Sequence, residues 1–315
     1  MHESTRELLE GVIDYAGMFP PASLSLTEAL HTYRAFSATD HQWISQRFVI
    51  GVQHFATLYA SIMKSPPATP IRCCVVASKT ADASGTEWVD HVKRDLDFIF
   101  DPAWARDFLV VDTVEIAVPP LAVNTRSVVE LMEILNLNEV DAFFEVNTLP
   151  TSGAWVDGNR RLLEQLADYR GRGPHVTGLK LRCGGTIPTV FPTSRQLARA
   201  LMEAGRRAVA VKFTAGLHHP FPTHDSTVGC FMHGFVNVMT AALSAYIYPV
   251  DLDSLIAILD DVNPEHFQFR ADALRREGVI LDATQIKAAR TEFVRSFGSC
   301  SLDEPLADLS QWAIL

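Results

Sequence analysis

Val176-Thr177-Gly178-Leu179-Lys180-Leu181-Arg182-Cys183-Gly184-Gly185 and, further on, Val209-Ala210-Val211-Lys212-Phe213-Thr214-Ala215-Gly216 are the two stretches that decide the fold. Each opens as a short β-rich run and ends in a glycine turn. Between them Ser194 to Arg206 carries apolar residues at helical spacing, with Thr193 or Ser194 as its cap. A strand, a helix and a second strand in that order form a βα unit, and the crossover makes the two strands parallel.

The same alternation extends outward. Toward the N-terminus, strands are expected at Val12 to Ala16, Arg47 to Val52, Ile71 to Ala77, Thr113 to Val118 and Ala142 to Val146. Their helices are expected at Ser25 to Phe36 (capped by Ser25 or Thr27), Ala56 to Met63, Thr86 to Phe100, Arg126 to Leu135 and Gly158 to Tyr169. After the Val209 run, the loop Gly216 to Phe231 leads into a helix over Met232 to Tyr246. Seven such units, with no Pro-rich or charged linker midway, predict an α/β fold: a single (β/α)8 TIM-type barrel over residues 1–315. The eighth strand is the weakest signal. Its extended candidate is His266-Phe267-Gln268-Phe269, so that 266–315 reads as a C-terminal extension with a hairpin near Gly278 and a helix from Thr284 to Ser296. A doubly wound open sheet is the alternative, but no G-x-G-x-x-G follows the first strand.

Composition agrees with a large buried core. Hydrophobic residues make up 48% and charged residues 20% of 315, and Lys plus Arg total 27 against 37 for Asp plus Glu, a net charge of −10. That balance offers no general attraction to nucleic acid or to an anionic membrane. The most apolar stretch, Val236 to Val250, is too short to span a bilayer and reads as a buried core helix. Five cysteines, with Cys73 and Cys74 adjacent and no C-x-x-C pair, suit neither a disulfide framework nor a zinc knuckle. With a charged N-terminal segment in place of an apolar signal core, the expected compartment is the cytoplasm.

Strand parity selects the candidate site. If Leu179 and Leu181 face the helices, Lys180 and Arg182 face the barrel interior, and the same argument turns Lys212 and Thr214 inward from Val211 and Phe213. Glu115 and Glu145 alternate with apolar neighbours in the same way. Buried ions lose hydration, so these carboxylates and cations are expected to pair. One reading is a polar barrel centre held by salt bridges alone. The other is chemistry: a desolvated lysine beside another cation is nucleophilic at neutral pH.

Residues at the strand ends complete the candidate set. His218 and His219 follow the Lys212 run; adjacent residues in extended backbone point apart, so the two are not expected to share one metal ion, and parity favours His218 at the mouth. His219 and His233 join the candidate substrate-binding residues, with His54 also able to join. Gly184 and Gly185 allow close approach of backbone N–H groups to a ligand, and Asp14 and Tyr15 end the first strand. Phe297 to Pro305 is a compact polar segment that could cap a helix or cover the mouth; nothing beside Cys300 in sequence activates its thiol.

The blocks Asp14-Tyr15-Ala16-Gly17-Met18-Phe19-Pro20-Pro21, Gly178 to Gly185, Lys212-Phe213-Thr214-Ala215-Gly216-Leu217-His218-His219-Pro220, Met232-His233-Gly234-Phe235 and Phe297-Gly298-Ser299-Cys300-Ser301 resemble those of a family of uncharacterised bacterial proteins of about this length. That resemblance spans the chain, implies one intact domain and names no reaction. A second resemblance is to Schiff-base aldolases of the deoxyribose-phosphate aldolase type, with their Lys-x-Ser-Thr-Gly and Gly-x-Lys-x-x-Gly-Gly strands. Lys212-Phe213-Thr214-Ala215-Gly216 is similar to the first, and Gly178 to Gly185 to the second, in reversed order and with one more residue before the glycine pair.

Together these readings predict a lyase that forms or breaks a C–C bond beside a carbonyl on a small anionic metabolite, without a cofactor. Lys212 is the expected Schiff-base nucleophile, Lys180 depresses its pKa, Glu145 or Glu115 moves protons, and Arg182 grips the anionic group. Two alternatives stand beside it. In one, Glu115, Glu145 and His218 hold a divalent metal and Lys180 or Lys212 is the base. In the other, the barrel is a non-catalytic ligand-binding or assembly subunit. The oligomeric state stays open, a homo-oligomer included.

Overall fold

Thr177–Arg182 and Val211–Thr214 are neighbouring parallel strands, with Leu179 opposite Val211 and Lys180 opposite Lys212. The structure, a computed structural model, describes residues 1–79, 85–104, 106–123 and 126–315. From the N-terminus, helix α1 (Glu3–Leu9) leads into β1 (Ile13–Tyr15), α2 (Leu26–Phe36), β2 (Ser45–Gly51), α3 (Phe55–Lys64), β3 (Ile71–Val76) and α4 (Gly85–Ile99). Then come β4 (Leu109–Val118), α5 (Arg126–Leu137), β5 (Asp141–Val146), α6 (Gly153–Tyr169), β6 (Thr177–Arg182), α7 (Ser194–Arg207) and β7 (Val211–Thr214). A hairpin of β8 (Thr223–Asp225) and β9 (Cys230–Met232) precedes α8 (Phe235–Ile247) and α9 (Leu252–Leu259). An antiparallel sheet of β10 (Gln268–Phe269), β11 (Ala273–Arg276) and β12 (Val279–Asp282) follows. The chain ends with α10 (Ala283–Glu292), β13 (Val294–Ser299) and α11 (Asp303–Gln311).

Among the described residues eight strands close a parallel barrel in the order β1, β2, β3, β4, β5, β6, β7, β13. The TIM-type fold expected from the alternation is therefore present, but its eighth strand is not where the apolar pattern pointed. His266 to Phe269 lies outside the barrel, in the small antiparallel sheet. Val294–Ser299, whose first three residues are expected as the end of a helix and the rest as part of the polar segment Phe297 to Pro305, closes the barrel by pairing with β7 on one side and β1 on the other. Residues 266–315 are thus not all an extension of the barrel. The misreading has a physical cause: the register shifts between Val294 and Phe297, which breaks the two-residue alternation. On the inner side this strand carries Ser296, which donates a hydrogen bond to Asp14, rather than an apolar residue.

Local signals set the helix starts. Ser25 and Thr193 each accept from the backbone three residues on while Glu28 and Gln196 reach back, which makes both starts capping boxes. Leu179, Leu181, Val211 and Phe213 are buried under the helix layer, as strand parity required. Helix α8 is buried on nearly every side because α7, α9, α10 and β13 surround it, which accounts for a mostly apolar sequence in which even Asn237, Thr240 and Ser244 are buried. Among the described residues no helix is long and apolar enough to cross a membrane.

Candidate active site

The barrel interior holds a line of alternating charges. Arg72 pairs with Asp112, whose Oδ1 is 2.6 Å from Arg47 Nε; Arg47 reaches Asp14 at 3.5 Å. Asp14 Oδ2 is 2.7 Å from Lys212 Nζ, which lies 2.6 Å from Glu115 Oε1. Glu115 Oε2 is 2.5 Å from Lys180 Nζ, and Glu145 joins Lys180 at 3.0 Å to Arg182 Nε at 2.9 Å. The line starts on β3 near the strand N-termini and ends on β6 at the C-terminal mouth. Five cations alternate with four carboxylates along it, leaving one net positive charge within a protein of net charge −10.

The central ions of this line, Asp14, Glu115, Glu145, Lys180 and Lys212, are held in their charged forms by their neighbours. Burial alone would raise Glu115, but Lys180 and Lys212 outweigh it and keep this carboxyl far below the usual range. Burial likewise opposes ionisation of Glu145, and Lys180 and Arg182 bring it down to about 2. Asp14 is lowered in the same sense, burial losing to Lys212 and Arg47. For Lys180, burial works against the ammonium and Glu115 and Glu145 raise it regardless; Lys212 is raised well above its usual value against burial, chiefly by Asp14.

Above this line, at the carboxyl ends of the strands, lies a cavity of about 390 Å³. Lys180, Arg182, Glu115, Thr214, His218 and Lys79 are among its lining. Lys180 and Arg182 therefore face both the ion line and the cavity, whereas Lys212, 1% exposed, lies behind them outside the lining. Lys79 follows β3 at the mouth and forms no ion pair among the described residues. Burial lowers its pKa, with Glu145 pulling against that and Arg182 and Lys180 adding to it.

The turn after β7 aims the histidine pair. Ala215 and Gly216 both take left-handed backbone, φ 61° and 70°. A Cβ on Gly216 would come within 2.7 Å of the Gly184 Cα, so two loops meet there backbone to backbone. His218 then reaches Glu304 at 3.1 Å and His219 reaches Asp308 at 2.6 Å, two carboxylates one turn apart on α11. Hydrogen bonds with Cys300 and Glu304 outweigh burial and push His218 up to about 10.

The structure brings Glu115, Glu145, Lys180, Arg182 and Lys212 together, with Thr214 and His218 around the cavity and Gly185 on its wall. Several expected roles need correction. Lys180 does not depress Lys212, because two carboxylates surround the Lys212 ammonium and no ligand reaches it from the cavity. Asp14 is fully buried and holds Lys212 and Arg47 rather than facing a substrate. Tyr15 points the other way, into a ring cluster with Tyr33 and Phe48 under the helix layer. Gly184 is a packing glycine: a Cβ there would meet the Phe191 ring at 2.4 Å. His233 is buried outside the cavity and donates to the Pro192 carbonyl at 2.8 Å; His54 is exposed after β2, and His219 reaches only an adjoining rim cavity.

The metal alternative finds no ligand set. Among the described residues no three His, Cys, Asp or Glu side chains are placed to hold one ion, since Lys180 lies between Glu115 and Glu145 while His218 faces Glu304.

Sequence reasoning missed Arg47, Asp112, Lys79 and the proximity of Cys300 to His218. Arg47 shares the inward parity of the cavity residue Val49 and was readable from that alternation. Lys79 was readable from its place just past a strand end. Cys300 and His218 are 82 positions apart, and no local pattern joins them. Comparison with protein-family models, curated proteins and solved structures returned no match at any of the three levels.

Proposed function

We propose that the barrel is a lyase that forms or breaks a C–C bond beside a carbonyl on a small anionic metabolite, with the amine of Lys180 as the imine-forming group. The observation that carries this reading is that Lys180 lines the cavity while touching two carboxylates and standing beside Arg182. The aldolase resemblance of the two lysine strands points the same way, with the nucleophile moved from Lys212 to Lys180 because Lys212 has no face on the cavity.

At rest Lys180 is an ammonium and cannot attack. An anionic substrate group drawn to Arg182 competes with Glu145 for the guanidinium. Glu145 then loses a stabilising cation, becomes more basic and takes a proton from Lys180. The free amine adds to the carbonyl carbon; Glu145 returns its proton to the departing oxygen, which leaves as water, and a protonated imine remains. That cation accepts the electron pair of the cleaving C–C bond, while the substrate hydroxyl loses its proton to a carboxylate such as Glu145 and departs as the carbonyl product. Lys212 stays behind as a fixed charge holding Glu115 in place.

Borohydride trapping tests this reading against a panel of 2-oxo acids and hydroxyaldehydes, with and without phosphate. A reduced adduct on Lys180, absent from Lys180→Met, is the expected result. An adduct on Lys79 or Lys212 instead, or none across the panel, would overturn it; anion binding without any adduct would favour a non-catalytic binding barrel.

A further inference from the structure

The rim of the mouth carries a second group of reactive side chains that the lysine chemistry does not use. Cys300 Sγ lies 4.0 Å from His218 Nδ1, and the same nitrogen is 3.1 Å from Glu304 Oε2. His218 and Cys300 line both the main cavity and an adjoining rim cavity of about 550 Å³. The sulfur is held there by its own turn. Ser299 Oγ donates to the Ser301 carbonyl at 2.6 Å, and the Glu304 N–H donates to Ser301 Oγ at 3.1 Å where α11 begins.

The other cysteines have different surroundings. Cys73, Cys74 and Cys183 are buried, and burial pushes their thiols up. Cys230 is half-buried like Cys300, but burial and Asp225 raise its thiol and no cation faces it among the described residues. Only Cys300, among the described cysteines, has an imidazole at hydrogen-bonding distance, on the ring nitrogen that also meets the Glu304 carboxylate.

We propose that Cys300 is a peroxide-reactive thiol, paired with His218 and Glu304, and that this rim is a modification site taking small uncharged peroxides. The Cys300 thiol loses its proton to solvent, and the His218 imidazolium stabilises the resulting thiolate as it attacks. An S–O bond forms and the O–O bond breaks; sulfur gives up two electrons and the peroxide is reduced. The departing hydroxide takes the His218 proton and leaves as water, so the products are a sulfenic acid at Cys300 and a neutral imidazole. The new oxygen occupies the wall shared by the two cavities. This inference does not depend on the lyase reading.

The test is hydrogen peroxide treatment of the intact protein with dimedone present, read residue by residue by mass spectrometry. Cys300 is expected to gain the adduct at least about tenfold faster than Cys230, and His218→Asn, with an unchanged circular dichroism spectrum, to remove that advantage. Equal labelling of the two cysteines in the wild-type protein would overturn the proposal, as would an undiminished Cys300 rate in folded His218→Asn. If that variant does not fold, the wild-type ratio decides alone.

Discussion

Lys180 and Lys212 stand opposite each other on adjacent parallel strands, and one carboxylate, Glu115, gives an oxygen to each, at 2.5 and 2.6 Å. Two ammonium groups so placed would repel strongly without it. Glu115→Gln leaves both partly uncompensated in the barrel centre and is expected to destabilise the fold by about 3–5 kcal/mol. Urea unfolding at neutral pH measures this, and a loss below about 1 kcal/mol would show that water reaches the lysines.

Arg182 offers a planar fork at the cavity edge, 28% exposed at its side chain. Arg182→Lys keeps the charge and removes the fork. Titration calorimetry should show anionic members of the carbonyl panel binding about tenfold more weakly, with uncharged members unaffected. An equal loss for both would assign Arg182 to structure alone.

Glu145 has its pKa depressed from 4.5 to about 2, burial being outweighed by Lys180 and Arg182. Because the folded value is the lower one, its pairing stabilises the protein above the ordinary carboxyl range, and that contribution is lost as pH falls through about 2. Glu145→Gln should start less stable at neutral pH and lose less stability than wild type on acidification. Parallel acid-denaturation curves for the two proteins would contradict this.

His218 behaves in the opposite sense. Its folded value of about 10 exceeds the ordinary 6.5, so its contribution is full below 6.5 and disappears as pH rises through about 10. The groups facing it are Glu304, Cys300 and, at longer range, Asp225. His218→Asn is expected to be less stable than wild type at pH 6, with the difference shrinking by about pH 10.5 in paired urea titrations.

Gly216 tests the loop contact. Its φ of 70° and the 2.7 Å approach of a Cβ to Gly184 both oppose a side chain. Gly216→Ala should cost about 1–3 kcal/mol in urea unfolding and loosen the His218 loop, seen as faster amide exchange over 215–219.

The barrel and its charged interior were legible because a sheathed parallel strand leaves only its inner residues free to be polar, and Lys180, Arg182, Lys212, Glu115 and Glu145 each fell between outward apolar neighbours. The eighth strand was not legible. Val294 and Phe297 are three apart, a helical spacing, and the register shift that makes them both part of one strand is settled by pairing with β1 and β7. Asp14 was seen, but its depth was misjudged: the strand ends one residue later, at Tyr15, yet Lys212 and Arg47 hold the carboxylate inside. The choice between Lys180 and Lys212 depends on depth along the barrel, which alternation does not encode.

The line of alternating charges also limits how this interior can diverge. Each inner carboxylate serves two cations and each inner cation two carboxylates, so replacing one member strands a charge on both sides. A lineage that discards Lys212 must discard Asp14 or Glu115 with it, or pass through an unstable ancestor. In a library randomised at Asp14, Arg47, Glu115, Glu145, Lys180 and Lys212 and sorted for folding, survivors should have lost opposite charges in adjacent couples. Solitary gaps should be rare, and the pattern of joint loss would trace the order of the links without any structure.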